Sequence, residues 1–208
     1  MRPTALLPCL LLATACHAKF KKEAPTLGAV RTQAVVSAPV DVELGKLSGN
    51  DVVSAVVNVV QEVSEVGPEQ RIARAVDLDR VNRALQNSFA ETLGSGPPFG
   101  TTQDPKAALL QIEVVRWGLQ VPYLGAPGIF NYDLNIRIYK PDGDRVYSAG
   151  LACNTGVGNP PPEARVLGTV NNLRQLEQMS DREIEKAFVS VARWCGTQLV
   201  TQMRRHAG

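Results

Sequence analysis

Residues 130–139 read FNYDLNIRIY, and this run constrains the fold more than any other part of the chain. Phe130, Tyr132, Leu134, Ile136 and Ile138 alternate with Asn131, Asp133, Asn135, Arg137 and Tyr139. Side chains on a strand point to opposite faces in turn, so period two predicts a strand with one dry and one wet face. Lys140-Pro141-Asp142-Gly143-Asp144 follows. Proline presets φ and glycine accepts a positive φ, so the chain turns back there. RVYSAGLAC, ending at Cys153, is then the hairpin partner. A sheet wet on one side suits antiparallel pairing, and its dry face needs a second layer.

Two more stretches read as strands. In ALLQIEVVRWGL, Leu110, Ile112 and Val114 alternate with Gln111, Glu113 and Val115. Upstream, Val30, Thr32, Ala34, Val36, Ala38, Val40, Val42 and Leu44 share one face. Pro39 lacks an amide donor, which sets this strand at an edge or breaks it. Helices supply the second layer. Ser48–Asp51 is a capping cluster that opens a valine-rich helix over 51–66, which Gly67-Pro68 ends. A helix over 69–93 carries Ile72, Val76, Val81, Leu85, Phe89 and Leu93, and Asp77-Leu78-Asp79 can restart it midway by capping. The last helix is the clearest. Ser180-Asp181-Arg182-Glu183 forms a capping box, and Ile184, Phe188, Val191, Cys195 and Leu199 make its apolar stripe. The expected fold class is α+β: two-layer, with an antiparallel sheet of about four strands, helices on one face and a long C-terminal helix.

The N-terminus carries a different signal. Arg2 precedes the apolar run ALLPCLLL, which is far short of the ~20 residues of a spanning helix. His17, Lys19, Lys21 and Lys22 follow at once, so the run reads as a signal peptide over residues 1–15. Leu12-Ala13-Thr14-Ala15-Cys16 resembles the lipobox of bacterial lipoproteins, with Ala13 where leucine is commonest. The resemblance implies acylation of Cys16 (palmitate among the chains), which becomes the mature N-terminus. More than one acyl chain gives stable anchoring. Aspartate after that cysteine commonly marks inner-membrane retention; His17 stands there instead. The resemblance thus implies the outer membrane, with the domain facing the periplasm. Residues 16–27, polar and carrying Pro25, are expected to be a tether, and 28–208 a single domain.

Four cysteines are present in all. Cys9 leaves with the signal and Cys16 takes lipid, which leaves Cys153 and Cys195. In an exported protein these two can form one bridge. It would close about 42 residues and contribute roughly 4 kcal/mol in the chain-entropy model. Two buried free thiols, or a reactive thiol, are the alternatives.

Chemistry is sparse. The net charge of +2 gives no field suited to nucleic acid, and there are two histidines. His17 lies beside the anchor and His206 in the last helical turn, both expected in solvent. No zinc-peptidase, serine-hydrolase or phosphate-loop motif occurs, and no cofactor or metal is expected. Gly94, Gly96 and Gly100 do not make a dinucleotide fingerprint, and Pro97 and Pro98 remove amides that a phosphate would need. Glu113 and Asp133 can share the sheet's polar face; with Arg116 and Arg137 available they read as solvated cross-strand partners, and a carboxylate enzyme site is the alternative. The segment 118–130 joins two strands yet is apolar, with Leu119, Val121, Tyr123, Leu124 and Ile129. It either lids the core or contacts a partner.

Residues 77–150 combine a helix, a Gly/Pro loop, a strand ending in VVRWGL and a hairpin with a D-G turn. This order resembles small envelope lipoproteins: the auxiliary lipoproteins of ABC-type transport, and the family with a TolB N-terminal-like domain. The resemblance implies a non-enzymatic, lipid-anchored accessory or assembly protein of the cell envelope. Its partners would be the membrane, through the N-terminal lipid, and an envelope protein. A lipid or small-molecule carrier, and a hydrolase with an unrecognised site, are the competing expectations.

Overall fold

The computed structural model describes residues 18–36, 38–44, 67–94, 96–121, 128–156, 160–162 and 173–208. The expected helix over 51–66 lies outside the described residues. The chain order is α1 (residues 18–23), β1 (Ala29–Val36), β2 (Val40–Leu44), α2 (Pro68–Ala75), α3 (Leu78–Leu93), β3 (Gly100–Thr101), β4 (Ala108–Val121), β5 (Ile129–Tyr139), β6 (Arg145–Asn154), α4 (Leu173–Gln178) and α5 (Asp181–Ala207). The class is α+β with a long C-terminal helix.

Among the described residues the sheet has six strands, in the order β3-β1-β4-β5-β6, with β2 also on β4. It is mixed, which corrects the expected antiparallel sheet of four. β4, β5 and β6 form the expected antiparallel meander. β1 and β2 instead run parallel to β4. The physical reason is the connection: α2 and α3 intervene, and a helical crossover returns the chain in the same direction, whereas a hairpin reverses it. The expected strand over 30–44 is broken near Pro39. β1 pairs with Ala108–Val114 and β2 with Trp117–Val121. The break faces a register shift in β4 between Val114 and Arg116. The Trp117 indole Nε1 donates to Ala38 O at 3.0 Å and ties it down.

The hairpin turn follows its residues. Gly143 has φ +87°, its N–H reaches Lys140 O, and Asp142 Oδ1 accepts from Asp144 N. All five apolar positions of β5 are buried. They meet α5, whose Phe188 ring packs edge-on against Trp117 at 5.3 Å and Phe130 at 4.7 Å. Asp77 Oδ1 caps α3, accepting from the amides of Asp79 and Arg80, so the helix over 69–93 is two helices. Ser180 and Glu183 complete the capping box of α5. α3 and α5 approach closely at Gly196, where a Cβ would stand 2.7 Å from Leu85 O. Only glycine fits there without backbone movement.

Candidate functional site

The N-terminal end of the described chain is part of the fold, which corrects the expected tether from residue 18 onward. α1 continues into a 3-10 turn, Ala24–Thr26. Phe20 and Ala24 are fully buried. The Phe20 ring lies 4.3 Å from Tyr147 and 6.2 Å from Phe99. The local composition, three lysines around one aromatic, reads as solvated because its apolar partners are more than seventy residues away in sequence. Phe20 itself was the overlooked signal.

Charged contacts lock this end to the rest of the domain. Lys19 Nζ donates to both carboxylate oxygens of Asp144, at 2.8 and 2.9 Å, and to Arg145 O at 3.0 Å. Lys21 donates to Gly208 O. Lys140 pairs with Glu23 at 2.6 Å. The hydrogen bond from Lys19 holds the Asp144 carboxyl below its usual range. The bond to Glu23 raises Lys140 above the usual ammonium range. Beside them, the Tyr147 hydroxyl and His206 Nδ1 lie 2.8 Å apart, and burial pushes the Tyr147 phenol up. His206 therefore has a protein partner rather than solvent alone, because the last turn of α5 lies over β6. Arg204 donates to Pro97 O and Thr92 O, satisfying a carbonyl at the end of α3.

The structure pairs Cys153, near the end of β6, with Cys195 on the buried stripe of α5. Their Cα atoms are 5.8 Å apart, within disulfide reach. Arg116 Nε donates to Asp133 at 2.9 Å and Arg137 Nη1 to Glu113 at 3.1 Å, as the cross-strand reading expects.

The apolar segment 118–130 is shorter than a loop reading implies, because β4 runs on to Val121. Leu119 is buried in β4 and belongs to the core. Ile129 is half-buried at the start of β5. Tyr123 and Leu124 lie outside the described residues, as does Cys16 with the whole signal segment.

A second feature went unread in the sequence. A groove of about 380 Å³ lies between α3 and α5, lined by Arg80, Arg182, Glu185, Lys186, Val189, Ser190 and Arg193. Arg80 crosses it to Glu185 at 2.5 Å. Arg182 and Lys186 are four apart and share a helix face, which was the legible part. Arg80 joins them only through the packing of α3 on α5. Among the described residues, no cluster of three metal-ligating side chains occurs and no helix is long and apolar enough to cross a membrane.

Compared with known proteins, the chain matches no family model, no curated protein and no solved structure.

Proposed function

We propose that this chain is a lipid-anchored accessory or assembly protein of the cell envelope. Cys16 holds it on the outer membrane, facing the periplasm, and it has no catalytic role. The observation that carries this reading is the junction at the N-terminus. A lipobox-like run ends at Cys16, and Phe20, four residues on, is fully buried in the domain core. Cysteine pairing between β6 and α5 suits an oxidising compartment. The carboxylates that a hydrolase would draw on, Glu113 and Asp133, are committed to arginines. In this reading the domain is two-layered, with its helices on one face of the sheet. The α3–α5 groove then offers an envelope partner a cationic seat.

The test places a photo-crosslinking residue at Ser190 in cells. The reading expects a discrete adduct with an envelope protein, and no stoichiometric lipid in organic extracts of the purified chain. Stoichiometric lipid without an adduct would replace it with the carrier reading.

A further inference from the structure

We propose that the end of the fold built around α1 is a docking surface for anionic lipid headgroups, which holds the domain at one orientation on the bilayer. This rests on Cys16 being the acylated residue. Two residue steps separate Cys16 from Ala18, and they span no more than about 7 Å. α1 cannot swing away from the body, because Phe20 is fully buried against Tyr147 and Lys19 is bound to Asp144 and Arg145 O. Lys21 ties it to the end of α5 at Gly208. The lipid-bearing residue therefore holds the β5–β6 turn and the last turn of α5 against the headgroups.

That end is cationic, although the chain as a whole carries only +2. Its carboxylates Glu23 and Asp144 are paired with Lys140 and Lys19, and Asp142, exposed in the turn, offsets one further cation. Lys22, Arg145 and Arg205 are exposed there and add positive charge. Basic residues next to a membrane attract anionic lipid within a Debye length. Arg182, at the other end of α5, lies roughly 35 Å from Arg205 at 1.5 Å rise per residue. The α3–α5 groove, which Arg182 lines, thus points away from the bilayer, where a partner can reach it.

The test uses the full, acylated chain in vesicles of phosphatidylethanolamine and phosphatidylglycerol containing a headgroup spin-labelled quencher. A fluorophore is attached through Asp142→Cys in the β5–β6 turn or through Arg182→Cys. The expected result is quenching several-fold stronger at position 142 than at 182. It should weaken when phosphatidylcholine replaces phosphatidylglycerol, and in the K22E/R205E variant, whose fold is checked by circular dichroism. Equal quenching at both positions would overturn the fixed orientation. Quenching at 142 that ignores both lipid and variant would overturn headgroup recognition. A chain that fails to float with the vesicles would instead overturn acylation of Cys16, and the proposal with it.

Discussion

Replacing Phe20 with alanine separates a folded N-terminal segment from a tether. Phe20 is fully buried, with rings at 4.3 and 6.2 Å. A phenylalanine buries on the order of 150–250 Å², which at about 25 cal/mol per Å² is roughly 4–6 kcal/mol. A compact unfolded chain lowers that by some 10–40%. Phe→Ala substitutions in cores cost about 3–5 kcal/mol. The expected loss for Phe20→Ala is therefore about 3–4 kcal/mol. With a urea slope of about 2–3 kcal/mol/M, the midpoint falls by roughly 1.5 M. The assay is urea denaturation followed by circular dichroism in a Cys16→Ser background, with Phe20→Leu as a control that should lose much less. A loss below about 0.5 kcal/mol, the range of an ordinary surface substitution, would refute the reasoning and restore the tether.

Three other outcomes follow from buried or charged groups. The Tyr132 hydroxyl is buried without a partner among the described residues, and burial raises its pKa. Tyr132→Phe should therefore gain about 1 kcal/mol in thermal or urea unfolding, because a stranded polar group is removed. The Cys153–Cys195 pair spans 42 residues. Changing both to alanine should cost about 4 kcal/mol by the chain-entropy account, and dithiothreitol should lower the wild-type midpoint alone. Asp144 and Glu183 are held below their ordinary values of 3.8 and 4.5, Asp144 by its bond from Lys19 and Glu183 by those from Ser180. A depressed carboxyl stabilises the fold above its unfolded pKa, and that part is lost as pH falls through the folded value. Stability should thus decline below about pH 4.5, and a Lys19→Ala, Ser180→Ala variant should show a shallower acid limb in pH-dependent urea titrations.

The meander was legible because its signals are local. The alternation in β5 named its five buried apolar positions but set the buried Asn131 on the wet face, and the Pro-Asp-Gly turn and the capping box act within four or five residues. Strand direction was not legible in the same way. β1 and β2 look like any half-buried strands, and their parallel pairing is decided by helices lying between them and β4. The anchor-proximal end was misread for a related reason. Lys19, Lys21 and Lys22 dominate local composition, while the burial of Phe20 depends on Tyr147, 127 residues away by the numbering. The α3–α5 groove joins Arg80 to side chains a hundred positions later, so no window of sequence could hold it.

The most direct test of the central claim is metabolic labelling with a fatty-acid analogue, comparing the native chain with Cys16→Ala. The account predicts label on the native chain and none on the variant. Equal label on both, or label on neither, would contradict it.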